Sequence, residues 1–155
     1  MHESFDRDLM ILLHDVARTL RTRADRAART HGMTRAQWII LARLARQPGL
    51  SQNEMAAICE VEPITVGRLV DRLEARGLVE RRADPNDRRI RRLHLLPAAR
   101  PIVDEITTYR KSLNAEIIDG LPPGNGKALI DTLLHIKDNL AADGANCSKL
   151  QAAGG

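Results

Sequence analysis

The stretch at 62–77, EPITVGRLVDRLEARG, sets the tightest limits on this chain, because it reads as one helix with two different sides. Pro63 stands in the first turn, where φ ≈ −65° suits a helix and the missing N–H is not needed. Val66, Leu69, Val70 and Leu73 recur at helical spacing and form one apolar stripe to bury. Arg68, Arg72 and Arg76 step by four into a basic ridge beside it. Gly77 follows as a left-handed C-terminal cap. The first turn carries only the shorter side chains Ile64 and Thr65, with Gly67 behind them. A slim tip, a cationic flank and an apolar back suit the major groove of DNA. The same pattern also describes a surface amphipathic helix with solvated arginines, so the flanking segments have to decide.

Upstream, Ser51 and Glu54 have the spacing of a capping box and open a short helix over 52–59 that would bury Met55, Ala56 and Ile58. Three residues, 60–62, separate the two helices, and so tight a joint predicts a helix-turn-helix. Downstream, 78–82 and 91–96 read as strands, with Leu93 and Leu95 on one face. Between them, 83–89 is dense in turn formers. The result is a β-hairpin with an arginine-loaded tip, a wing able to reach an adjacent minor groove, whose narrow walls concentrate negative potential.

Apolar residues at Phe5, Leu9, Leu12, Val16 and Leu20 predict a first helix over 4–31, ended by Gly32. A second capping box, Thr34 with Gln37, opens a helix to residue 46 that would bury Trp38, Leu41, Leu44 and Ala45. Ile102, Ile106, Tyr109, Leu113 and Ile117 repeat the first helix's spacing and predict a fifth helix over 98–119, in which Pro101 must fall in the first turn. GLPPG at 120–124 breaks the chain. A sixth helix over 125–142 would bury Leu129, Leu133, Ile136 and Leu140, and 143–155 is small, polar and aperiodic, expected to be a frayed tail. The expected organisation is a mainly α (α+β) chain: an N-terminal dimerisation helix at 1–32, a winged helix-turn-helix at 33–97, C-terminal dimerisation helices at 98–142 and a flexible tail at 143–155.

Charge supports the DNA reading by its location. Residues 81–92 hold six arginines against two aspartates, a local surplus that equals the +4 of the whole chain. Phe5, Trp38 and Tyr109 are the only aromatics, too few for the stacking platforms of RNA and single-strand binders, so double-stranded DNA is the expected partner. Cys59 and Cys147 form no motif, there is no secretory layout and no apolar run of membrane-spanning length, so a reduced cytoplasm is the expected setting.

Over 50–96, and above all in RLVDRLEARGLVER and DPNDRR at this separation, the chain resembles the MarR-type winged-helix regulators. The resemblance implies a homodimeric transcription regulator on a pseudo-palindromic operator, often a repressor released by a small ligand such as an aromatic or phenolic acid or its thioester. Its groove-reading turn falls on Pro63, Ile64, Thr65 and Arg68, with Arg72 nearer the backbone. Its wing aspartate–arginine pair falls on Asp87 and Arg88, with Arg89 beside them. Gly67 departs from relatives that place a longer polar side chain there. Close approach of the backbone to DNA would justify a glycine; so would drift. The effector pocket implied by the family would draw on His14, Arg18, Trp38 and Tyr109, Arg18 being suited to a carboxylate. Pairing also has a physical motive: one winged helix covers a half-site, and two related by a two-fold axis read sites about 34 Å apart.

Other classes are weaker. There is no nucleophile elbow, phosphate-cradling glycine loop or close carboxylate pair, so no enzyme and no cofactor are expected. His2, His14, His31, His94 and His135 lack metal-ligand spacing, so no metal is expected, although a metal-responsive regulator on the same fold is an alternative. A thiol-responsive regulator is another, but Cys59 reads as a small buried filler. A winged helix used for protein contact would present apolar side chains on the hairpin in place of arginines.

Overall fold

The computed structural model describes residues 7–152, the backbone alone from 143 onward. Phe5 and His2 lie outside the described residues, as does the side chain of Cys147. The elements are α1 (Leu9–Arg29), α2 (Arg35–Arg46), α3 (Gln52–Cys59), α4 (Pro63–Ala75), β1 (Val79–Ala83), β2 (Arg91–Leu95), a 3₁₀ turn (Pro97–Ala99), α5 (Arg100–Ile118) and α6 (Asn125–Ala152). The winged helix-turn-helix read from the sequence is the observed fold. The chain divides into two compact units, Met1–Thr108 and Tyr109–Gly155, with the boundary inside α5.

In the first unit the local signals act as read. Thr34 caps α2: the Gln37 N–H donates to its hydroxyl at 3.2 Å, and the Thr34 N–H donates back to the Gln37 carboxamide oxygen at 3.0 Å. Ser51 and Glu54 do the same for α3, at 3.2 and 2.7 Å. Gly77 takes φ +67° and lets the Leu78 N–H reach the Leu73 carbonyl at 3.0 Å, closing α4. The α3–α4 turn has no glycine. Glu60 itself adopts the left-handed conformation, φ 55°, while the Val61 N–H bonds the Ala56 carbonyl at 3.1 Å.

The core of this unit is Ile40, Leu41 and Leu44 from α2, Met55 from α3, Val66, Val70 and Leu73 from α4, and Val79 and Leu93 from the hairpin. Four sequence expectations shift. Ala45 is exposed and Ile40 is buried in its stead, because the inward face of α2 follows Trp38, Leu41 and Leu44 rather than the run 44–45. Leu69, Ile58 and Leu95 are half-buried at the edges of their stripes.

The hairpin is antiparallel, with Val79 opposite Leu95 and Arg82 opposite Arg92. Its outer edge does not stay open. The Leu93 N–H donates to the Leu50 carbonyl at 2.8 Å, and the Gly49 N–H donates to the Leu93 carbonyl at 3.0 Å, so the segment before α3 covers β2. This pins the wing to the helix-turn-helix.

Pro101 is the second residue of α5, in the first turn as required. In the second unit α6 continues past the expected end at 142 as far as Ala152. The segment DGANCSKLQA contains no proline to stop a helix already begun, and it has no apolar periodicity to announce one. Both units leave apolar side chains in solvent: Leu9, Met10, Leu12, Leu13 and Val16 on α1, and Ile117, Ile118, Leu121, Leu129, Ile130, Leu133, Leu134 and Leu140 around α5 and α6. Of the first helix's stripe, Leu9, Leu12 and Val16 are therefore exposed in the single chain and Leu20 is half-buried.

Candidate nucleic-acid interface

The tip of α4 is open. Pro63, Ile64, Thr65 and Arg68 are all exposed, Ile64 at 65%. Distance along the helix sorts their roles. Arg68 stands five residues beyond Pro63, about 8 Å along the axis at 1.5 Å per residue, and the major groove is about 8.5 Å deep. Arg72 stands nearly twice as far, about 13 Å, so on a helix entering tip-first it meets the rim where the phosphates run. The guanidiniums of Arg68 and Arg72 make no ion pair or hydrogen bond among the described residues.

Gly67 has an internal explanation. A Cβ there would lie 3.0 Å from Gln52 Nε2. That amide donates to the Pro63 carbonyl at 3.2 Å and ties α3 to the first turn of α4. The Gly67 carbonyl also accepts from Arg81 at 2.9 Å. The close approach that favours glycine is thus between α3 and α4 within the protein.

The wing is organised by Asp84, only 6% exposed. Its carboxylate accepts from the backbone N–H groups of Asn86 at 2.7 Å and Asp87 at 3.1 Å, and from the Arg92 guanidinium. Arg92 reaches on to the Gly49 carbonyl at 2.9 Å and lies 3.7 Å from Glu54. The Arg92 guanidinium, with the two backbone donors behind it, holds the Asp84 carboxyl below the usual range. At the apex, Asp87 accepts from the Arg89 backbone N–H at 3.0 Å and from its guanidinium at 3.2 and 3.3 Å. The Arg89 guanidinium, then its N–H, lowers the Asp87 carboxyl. An aspartate turn accepts from the residue two positions on, so the arginine held by Asp87 is Arg89, and Arg88 is left exposed.

The charge of the wing is smaller than its composition implies. Arg81 donates to Asp71 at 2.8 Å and is paired with Glu74. Arg82 is paired with Glu80, Arg89 with Asp87, and Arg92 with Asp84. Arg88 and Arg91 are the two of the six arginines with no acidic partner among the described residues. Sequence reasoning placed Arg81 in the basic patch; it is instead the clamp between the wing and α4. Asp71 and Glu74, one helical turn apart on α4, were the signal for it.

The effector candidates stand differently. His14 and Arg18 are exposed on α1, and the Arg18 guanidinium lies 2.6 Å from Asp15. Trp38 is 6% exposed in the core, its ring 5.7 Å from that of His31. Tyr109, the first residue of the second unit, is half-buried. Burial raises the Cys59 thiol, which disfavours the reactive thiolate. Among the described residues no three His, Cys, Asp or Glu side chains gather as a metal site, and no helix is long and apolar enough to cross a membrane.

The sequence pattern of the MarR family matches residues 31–90, from the α1–α2 turn to the wing. Among solved structures, the chain is similar to the transcriptional regulator PA3341 at 32% identity and a TM-score of 0.78, with 87% of this chain and 99% of that chain covered. It is similar to MarR at 26% identity and a TM-score of 0.73, covering 92% and 97%. It is also similar to CouR from Rhodococcus jostii RHA1, solved with p-coumaroyl-CoA bound, at 27% identity and a TM-score of 0.75, covering 86% and 94%.

Proposed function

The chain belongs to the MarR family of winged-helix transcription regulators, and from that premise we propose that it works as a homodimer on a pseudo-palindromic DNA operator. The observation that carries this is the pairing of an open helix tip with unpaired cations. Thr65 and Arg68 read base edges, Ile64 meets thymine methyls, and Pro63 sets the turn. Arg72 and the wing-tip Arg88 hold phosphates or the minor groove, with Asp87 and Arg89 shaping the apex. The exposed apolar faces on α1 and on α5–α6 support pairing, since solvated patches of this kind mark interfaces. Two copies related by a two-fold axis place their reading helices about 34 Å apart, one turn of B-DNA.

For the effector, similarity to a regulator solved with p-coumaroyl-CoA supports a small aromatic or phenolic acid, or its thioester, acting to release DNA. His14, Arg18, Trp38 and Tyr109 are the candidate contacts. A carboxylate at Arg18 has to displace Asp15, and both are solvated, so that exchange costs little. A mobility shift on the DNA beside its own gene, with and without such ligands, tests both halves: retarded DNA supports the regulator, and release supports the effector.

Two substitutions separate reading from holding. Arg88→Ala is expected to weaken matched and random duplex alike and to lower the salt slope by about one per wing. Thr65→Ala or Arg68→Ala is expected to relax preference at particular base pairs, by about 1–3 kcal/mol each. Titrations of single-base operator variants at several salt concentrations measure both. Uniform losses for the α4 variants would remove them as readers, and an unchanged slope for Arg88→Ala would remove the wing.

A further inference from the structure

A groove of about 470 Å³ lies beside the C-terminal half of α4, within the first unit. It is lined by Arg72 and Ala75 of α4 and its cap Arg76, and by Arg29, the last residue of α1, with Met33 and Gln37 among the rest. No carboxylate lines it. The guanidiniums of Arg29 and Arg72 make no ion pair or hydrogen bond among the described residues, and Arg76 donates only to the neutral His31 carbonyl, at 3.2 Å. Gln37 is 5% exposed, and its carboxamide oxygen is taken by the Thr34 N–H at 3.0 Å. Its amide hydrogens have no acceptor among the described residues.

Three like charges around one space repel one another, and the Gln37 amide nitrogen, open to solvent, offers a further donor beside them. An anion in the groove takes up both. Arginine forks match planar or tetrahedral oxyanions, and the volume falls within the range of small-ligand sites. The number of donors selects the anion. A carboxylate brings two oxygens and one charge to three guanidiniums, whereas a phosphate group brings three oxygens and close to two charges. We infer that the groove formed by Arg29, Arg72, Arg76 and Gln37 is a phosphate site. Because Arg72 belongs to α4 and Arg76 caps its end, filling it acts on the reading helix directly.

The phosphate has two possible sources, a free phosphorylated small molecule or the DNA strand flanking the reading helix. Arg29→Ala and Arg29→Glu distinguish them, since Arg29 is exposed, makes no ion pair among the described residues and lies outside the proposed DNA contacts. In the first arm, DNA-free protein is titrated calorimetrically with pyrophosphate. Binding that weakens about tenfold in Arg29→Ala, and further in Arg29→Glu, assigns a free anion. In the second arm, the salt slope of duplex binding is measured. A slope lower by about one per chain in Arg29→Ala, with base preference unchanged, assigns the DNA backbone. No difference from wild type in either arm overturns the site. The second arm rests on the DNA-binding reading and the first does not: a wild type that ignores duplexes but takes up pyrophosphate refutes that reading and leaves the groove standing.

Discussion

Leu133→Glu is expected to split the proposed dimer into monomers and to lower operator affinity by at least about a thousandfold, the margin that separates specific from non-specific binding. Leu133 is 42% exposed on α6, among Leu129, Ile130 and Leu134, which are exposed as well. In a lone chain a glutamate there is harmless, because the site is already solvated. Across the proposed apolar interface it would bury an unpaired charge, twice over if the two copies are related by a two-fold axis. The substitution therefore spares the fold and removes the pair. Sedimentation and circular dichroism read the two separately. A variant that stays dimeric would place the interface elsewhere; one that becomes monomeric yet still binds its operator fully would break the link between pairing and recognition.

The second large effect is expected at Asp84. Asp84→Ala leaves the Asn86 and Asp87 N–H groups and Arg92 without their common acceptor, so the turn that presents Arg88 loses its shape. Operator affinity is expected to fall roughly tenfold per wing, while α4, held by Gln52 and Arg81, keeps its base preferences. Asp84→Asn retains one oxygen for the backbone donors but loses the charge facing Arg92, and it is expected to fall between. The pH dependence has a definite sign. The folded carboxyls of Asp84 and Asp87 both sit below their ordinary range, so their contribution is complete above about pH 4 and is lost as pH falls through those lower folded values. Wing-dependent affinity is thus flat from about pH 5 to 8. Salt-slope measurements on Arg88→Ala at both ends of that window check it, and hydrogen exchange across residues 84–90 reports the loosened turn.

The parts of the fold that follow from neighbours in sequence were legible. Two capping boxes, Pro63 at a first turn and Gly77 as a cap each act within a few residues and stand as read, and the 3.6-residue stripe of α4 holds except at the half-buried Leu69. Much of what failed depends on partners in other elements, although Arg82 and Arg89 are taken by acidic neighbours two residues away. The six arginines of the wing look alike in sequence, yet Arg81 is consumed by Asp71 and Glu74, and Arg92 by Asp84 and the carbonyl of Gly49, 43 residues away. Counting charge therefore overstated the free cation, and geometry narrows it to Arg88 and Arg91. Gly67 invited a reading in terms of DNA because its neighbour Gln52 belongs to another helix. The left-handed turn at Glu60 had no glycine to announce it. The basic groove at Arg29 was invisible for the same reason as the clamp at Arg81: its walls come from two helices far apart in the chain.

Native mass spectrometry of the full chain with a duplex selected from a random pool, at low ionic strength, bears most directly on the whole account. Two protein chains on each duplex, and an inverted repeat in the selected sequence with half-sites one helical turn apart, are the expected result. A single chain per duplex, or a pool that yields no enriched sequence, would contradict it.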